Sequence, residues 1–286
     1  MIRKMYLAVM ALGLLSVSCS SDDDTPQVET SALTLNLSGL EALGSDYVYE
    51  GWVIVNGNPV STGTFSDVTF PQTFQVESSQ LAAATTFVLS IEPAVDTDPA
   101  PADTKILAGD FSGTSASVNS NGIVADFSAS TGEYILATPT DDDMTNESSG
   151  VWFLNNSGAA PVAGLDLPTL PAGWKYEGWA VVDGTPLSTG TFTNVAAADE
   201  FSGFSGMNMS PPFPGEDFLF NEDGTPNMLN LLGQTIVISV EPSPDNSPAP
   251  FTLKPLAHMV PVTAALHTPI TMGTGPVVTL MGTVSR

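Results

Sequence analysis

One segment of this chain occurs twice, and that repetition restricts its fold more than any other feature. Tyr49 to Phe65 (YEGWVIVNGNPVSTGTF) returns as Tyr176 to Phe192 (YEGWAVVDGTPLSTGTF) at a constant offset of 127 residues. Further on, Phe87 to Pro93 (FVLSIEP) returns as Ile236 to Pro242 (IVISVEP) at an offset of 149. The offsets 127 and 149 differ by 22 residues, so the second copy carries an insertion of that length, which falls somewhere within about 196–232, where Gly, Pro, Phe and Met crowd together. Two related units in tandem are expected.

Each unit reads as β structure. Trp52-Val53-Ile54-Val55 and Trp179-Ala180-Val181-Val182 are short apolar runs closed by Asn56-Gly57 and Asp183-Gly184. Those residue pairs tolerate positive φ and make tight hairpins. The Gly-Thr-Phe steps that follow suit edge strands. The Phe87 and Ile236 runs suit buried central strands, ended by Pro93 and Pro242 because proline cannot donate to a ladder. Beyond them lie loops rich in Pro and Asp, Asp96–Pro101 and Asp245–Pro250. Tyr134–Ala137 and Val151–Leu154 form a further strand pair around Asp141–Asp143, assigned to the second unit, and Leu33–Leu37 fills the corresponding place in the first. From Pro255 to Ser285 there is no charged residue, and buried strands are expected there. The fold class expected is all-β, with two tandem Ig-like β-sandwich units at 32–128 and 129–286.

The N-terminus has the grammar of an export signal: Arg3-Lys4, an apolar run from Met5 to Val17, then Ser18-Cys19 and the acidic Asp22-Asp23-Asp24. A run of roughly 13 apolar residues is too short to span a bilayer. Cys19 is the single cysteine in the chain. Its position resembles the lipobox of bacterial lipoproteins, although Leu15 stands four residues before it where that family usually places leucine three before. The resemblance implies a lipoprotein signal peptide at 1–18, lipidation of Cys19, and an acidic linker at 19–31. The alternative is an ordinary secretory signal with an incidental cysteine. The Asp22–Asp24 run resembles signals that direct lipoproteins to the outer face of the outer membrane, and it also reads as a solvated spacer. With Cys19 acylated no disulfide is possible, so burial and strand pairing must supply stability.

Charge removes whole classes of function. The chain carries 31 acidic residues against 6 basic ones, a formal net charge of -25. Outside the leader the basic residues are Lys105, Lys175, Lys254 and Arg286. No basic patch can be assembled to follow a nucleic-acid backbone or an anionic bilayer. Catalytic inventories are equally thin. His258 and His267 are the two histidines and both lie in the uncharged C-terminal stretch, where a hydrogen-bonded core or turn role is expected. A Gly-x-Ser-x-Gly elbow is absent, with Gly203-Phe204-Ser205-Gly206 one residue short. Glu50 with Glu92 and Glu177 with Glu241 are the repeated acids that a glycosidase pair would need, but their positions at strand ends also suit hydrogen-bonded structural carboxylates. Asp96-Thr97-Asp98, Asp141–Asp143 and Glu222-Asp223 offer hard oxygen ligands for calcium or simply form solvated turns. In the insertion, Phe201, Phe204, Met207, Met209, Phe213, Phe218 and Phe220 either present a binding loop or fold back over a sheet face.

Taken together, Trp52, Gly57, Pro59, Gly63, Phe65, Ser90, Glu92, Pro93, Pro99, Pro101 and Leu107-Ala108-Gly109 resemble the extracytoplasmic C-terminal domain of the anti-sigma-K factor family. A second set follows: Trp179, Gly184, Pro186, Gly190, Phe192, Ser239, Glu241, Pro242, Pro248, Pro250 and Leu256-Ala257, with His258 in place of the final glycine. The resemblance implies a β domain that acts outside the cytoplasm. The sequence shows neither a His-x3-Cys-x2-Cys cluster nor a span-length apolar segment after Val17. The function expected is therefore a non-enzymatic, lipid-anchored envelope protein that binds or senses, with no cofactor, no metal site and no nucleic-acid partner. It would meet the membrane through its lipid and engage an envelope protein or a glycan. The alternatives are an anti-sigma-type regulator acting through a membrane partner and a carbohydrate-active enzyme.

Overall fold

A computed structural model describes residues 28–227, 229–245, 247–276 and 280–286; the leader, Cys19 and Asp22–Asp24 lie outside them. The chain runs β1 (Thr30–Ser38), β2 (Tyr47–Val55), β3 (Asn58–Phe65), β4 (Gln72–Glu77), α1 (Ser78–Ala83), β5 (Thr86–Pro93), β6 (Lys105–Ser112) and β7 (Ser115–Asn119). It continues through β8 (Thr131–Leu136), β9 (Val151–Trp152), β10 (Leu154–Asn155), β11 (Val162–Ala163), β12 (Leu165–Asp166), β13 (Trp174–Val182) and β14 (Thr185–Phe192). The last elements are β15 (Gly215–Glu216), β16 (Thr235–Pro242), β17 (Leu256–Met259), β18 (Ile270–Thr271), β19 (Gly273–Thr274) and β20 (Met281–Ser285). The protein is all-β and sandwich-like, as its alternating and strand-length apolar runs lead one to expect.

Eight strands make the first sheet, in the order β3-β2-β5-β6-β7-β20-β1-β4. Its two edge strands curl back toward each other, with the rings of Phe65 on β3 and Phe74 on β4 5.7 Å apart. Both layers of this sandwich are thus parts of one sheet. Its inside is lined by Leu33 and Leu35 from β1, Tyr49 from β2, Phe87 and Leu89 from β5 and Ile106 and Leu107 from β6, all fully buried. Covering each Leu or Phe side chain contributes about 1.5–3 kcal/mol.

The second unit stacks two main sheets, with β10 and β11 forming a separate short pair. One has the order β14-β13-β16-β17-β19; the other has β12-β8-β9-β15, with β18 also paired to β8. Phe153, between β9 and β10, packs on the backbone of Gly178 in β13, where a β-carbon would stand 2.7 Å from its ring. In the first unit Phe87 presses on Gly51 in the same way, at 3.2 Å from such a carbon. These close approaches explain why glycine precedes tryptophan in both copies. Each hairpin also shifts register at that step, Gly51/Trp52 and Gly178/Trp179. The turns are twins as well: φ is 51° and 81° at Asn56-Gly57, and 50° and 85° at Asp183-Gly184. Two consecutive left-handed residues define the mirror-image turn that matches strand twist.

Two expectations are corrected. The first concerns β20, which falls in the stretch 129–286 assigned to the second unit. It is inserted in the middle of the first sheet, pairing Met281–Ser285 with Asn119–Ser115 of β7 and with Ser38–Thr34 of β1. The chain therefore returns from the second unit to complete the first. Val284 is fully buried there, which is the physical reason for the return. The second concerns the uncharged stretch from Pro255. Leu256 and Val260 are buried, but Val262 is 74% exposed and Pro261–Thr268 is mostly turn. Lack of charge there reflects turn-forming Pro, Thr and Ala rather than burial. One contiguous apolar core runs through both units, from Leu33 to Val284.

Candidate functional site

The repeated Trp and Ser-x-Glu-Pro residues meet in a buried relay. Trp52 Nε1 donates to Ser90 Oγ at 2.8 Å, Ser90 Oγ donates to Glu92, and the amide of Ala102 donates to Glu92 Oε1 at 2.9 Å. Lys105 Nζ then donates to the Ala102 carbonyl at 2.9 Å. In the second unit Trp179 Nε1 donates to Ser239 Oγ at 2.7 Å, Ser239 Oγ to Glu241, and the Phe251 amide to Glu241 Oε1 at 2.9 Å. Lys254 Nζ donates to the Phe251 carbonyl at 2.6 Å. A buried indole N–H needs an acceptor and a buried carboxylate needs donors. The relay gives each indole an acceptor and one oxygen of each carboxylate its donors, and it pins the Pro-rich loop to the central strand.

The other repeated acids sit beside it. Ser61 donates to Glu50 and Ser188 to Glu177, each across the first hairpin of its unit. Burial pushes Glu177 up to about 7 and Glu241 up to about 8, and raises Glu92 above the ordinary carboxylate value. Glu177 is 6% exposed and Glu241 1%.

The second unit buries further acids that the sequence does not advertise. Asp217 accepts from the Thr140 amide at 2.8 Å, the Thr140 hydroxyl and Trp152 Nε1 at 2.6 Å. Glu216 accepts from Ser205 Oγ and from the amides of Phe204 and Asp217 at 3.3 and 2.9 Å. Asp199 accepts from the amides of Gly215 and Phe201 and is still pushed up to about 7, first by burial and then by its acidic neighbours. Glu147 takes the Thr138 amide at 2.8 Å and lies 3.3 Å from His267 Nε2. The donors to Asp217 lie 77 and 65 residues before it, at Thr140 and Trp152, so pattern reading had no handle on them.

Glu177 and Glu241 are joined by Asp245, from the loop after β16. Each offers a carboxylate oxygen and the three oxygens lie within 4.8 Å of one another. Asp245 falls in a loop that the sequence singles out, but its association with the two glutamates was missed. The signal was available: Asp245 is Asp96 shifted by the same 149 residues that relate Glu241 to Glu92.

The acidic runs that suit either calcium or solvated turns are held by their own backbone. Asp96 and Asp98 accept from the amides of Asp98 and Ala100 at 2.8 and 3.0 Å. Asp141, Asp143 and Asp223 do the same two residues ahead, at 3.2, 2.9 and 2.9 Å. Among the described residues, these runs form no cluster of three ligating side chains. His258 Nδ1 is 2.9 Å from the Tyr134 hydroxyl, tying β17 to β8 across the sandwich. His267 sits in a left-handed turn with φ 55°. The insertion does both things weighed for it. Phe204, Phe213 and Phe218 are buried, with Phe204 and Phe218 stacked at 5.8 Å, and Phe220 is half-buried. Phe201, Met207 and Met209 face solvent.

Where the units meet, a cavity of about 700 Å³ opens between the β1–β2 loop, the Pro-rich loop of the first unit and the loop after β16. Leu43, Tyr47, Ile91 and Phe251 give it apolar walls, and Glu41, Asp103 and Asp245 an acidic rim. Lys254 neighbours Glu41 across the junction and partly offsets the effect of burial on that carboxyl.

With the relay and its loop in view, the family comparison falls on the same residues. Residues 24–106 match the family model for the anti-sigma-K factor rskA, C-terminal. The anti-sigma-K match takes in the first hairpin, the Ser90–Glu92 strand end and the loop to Lys105. It spans under a third of the 286 residues, and the second unit lies outside it. The likeness of that unit to the first rests on the repeated sequence and on the hydrogen bonds it reproduces. No curated protein and no solved structure matches the chain. Among the described residues, no helix is long and apolar enough to cross a membrane.

Proposed function

We propose that this protein is a non-enzymatic binding module of the cell envelope, tethered by lipid on Cys19, that engages a partner through the cleft between its units. The observation that carries this reading is the fate of the repeated signature. Trp52, Ser90 and Glu92 are consumed in fastening a loop, as are Trp179 and Ser239, and the loops so fastened line the cleft. A volume of about 700 Å³ is within the range of ligand sites. Apolar walls with an acidic rim suit a protein segment that presents an apolar side chain flanked by Lys or Arg. A glycan stacking on Tyr47 is the other occupant considered.

The anti-sigma-K match favours a second reading, in which the same module regulates a sigma pathway through a membrane partner. The two differ in the identity of what the cleft contacts. The anchoring itself is tested by Cys19→Ser. The variant should move from the membrane fraction to the soluble fraction of lysed cells and lose incorporation of labelled fatty acid. Unchanged membrane association would remove the lipid tether from the account.

A further inference from the structure

We infer that Glu177, Glu241 and Asp245 form a site for a divalent cation, with calcium the best fit. Among the described residues this is the one group of three metal-ligating side chains whose oxygens come within 4.8 Å of one another. The strands deliver two of them by design. Glu177 on β13 pairs with Ser239 on β16, and Glu241 lies two residues along β16 on the same face, a diagonal neighbour. Asp245 enters from the loop that the Phe251 amide and Glu241 hold in place.

Crowded acids alone would not carry a site; Glu241 supplies a second observation. It is 1% exposed, and its Oε1 is occupied by Ser239 and the Phe251 amide. Its Oε2 is buried with no hydrogen-bond partner at all. The neighbouring buried acids Asp199, Glu216 and Asp217 differ in this respect, since no carboxylate oxygen of theirs is orphaned. A buried polar atom without a partner is costly, and a bound water or ion is what can satisfy it. Lys254 is the nearby cation, but it is tied to the Phe251 carbonyl and shared with Glu41. Neither contact reaches Glu241 Oε2.

The donors are all oxygen, which selects a hard cation, and calcium accepts irregular sets of about 6–8 oxygens where magnesium demands an octahedron. The remaining positions fall to water, because the cluster borders a solvent-connected hollow lined by Glu177, Ser188, Ser247 and Pro248. In the first unit the corresponding Glu50, Glu92 and Asp96 are not gathered in this way, and Asp96 is exposed. The site goes beyond the binding role proposed above and does not depend on it.

The test is isothermal titration of chelator-treated, purified full chain with calcium chloride alone, together with thermal unfolding. One calcium per chain is expected, with a rise in the midpoint of about 5–10 °C once free calcium reaches about a hundred times its dissociation constant. Asp245→Asn lies at the loop end of the site and should keep the calcium-free midpoint while weakening calcium binding at least about tenfold. Glu177→Gln should weaken it similarly. No heat and no shift in the unaltered chain would overturn the site. So would calcium binding of undiminished affinity in both variants, which would place the ion in the acidic turns instead.

Discussion

Removing the last six residues, Met281–Arg286, is expected to unfold the first β unit, although those residues are separated from it in sequence by the whole of the second. β20 is a central strand, flanked by β7 on one side and β1 on the other. Without it β1 and β4 lose their link to the rest of the sheet, and the buried side chain of Val284 leaves the core. Each ladder hydrogen bond contributes only about 0.5–1.5 kcal/mol net. Five register pairs on each side are lost together, however, and a whole domain is stable by only about 5–15 kcal/mol. The truncated chain should show weakened near-ultraviolet circular dichroism and rapid proteolysis within 30–119. A smaller probe is Arg286→Ala. The guanidinium donates to the carbonyls of Leu81, Ala84 (2.8 Å) and Gly113 (3.1 Å) and lies 4.4 Å from the Phe111 ring centroid. Its loss should lower stability by about 1–3 kcal/mol in denaturant titration. A truncated chain that melts like the intact one would show that β20 is not structural.

Glu92→Ala is the second change expected to have a large effect, and it bears on what the repeated signature is for. The substitution strips the acceptor from the Ser90 hydroxyl and the Ala102 amide at a buried position. Each stranded donor costs about 1–3 kcal/mol, so a loss of about 2–6 kcal/mol is expected in urea unfolding. Glu92→Gln keeps an acceptor oxygen in place and should lose less than half as much. The order Ala worse than Gln, with the loop 94–104 becoming protease-sensitive in the alanine variant, is the signature of a fastening role. An alanine variant as stable as the parent would mean that the relay holds nothing.

Much of the fold was legible because it is encoded locally. Asn56-Gly57 and Asp183-Gly184 make the turns their φ tolerance predicts, and Pro93 and Pro242 end their strands. Leu33, Leu35 and Leu37 alternate into the core as a half-buried strand must. The exceptions are long-range. Met281–Ser285 has an ordinary strand pattern, and nothing local says that its partners lie more than 160 residues back. Pro261–Leu266 is uncharged yet exposed, because apolar composition does not distinguish a turn from a core. The site was half legible. Glu92 and Glu241 read from sequence as strand-end carboxylates with a structural role available to them. Asp217 stayed hidden because its donors, Thr140 and Trp152, lie 77 and 65 residues back along the chain. Asp245 could have been found by carrying the 149-residue offset one loop further.

The binding role is tested most directly by placing a photo-cross-linking amino acid at Ala42, an exposed residue on the cleft rim, and illuminating intact cells. The same amino acid at Val162, exposed and outside the cleft lining, is the reference. The account predicts a discrete higher-mass adduct from position 42 that is absent from position 162, and that disappears when Tyr47 on the cleft wall is changed to Glu. A sigma-pathway membrane protein in that adduct would select the regulatory reading over a general binding role. Identical patterns from both positions, or no adduct from either, would contradict a cleft built to hold a partner.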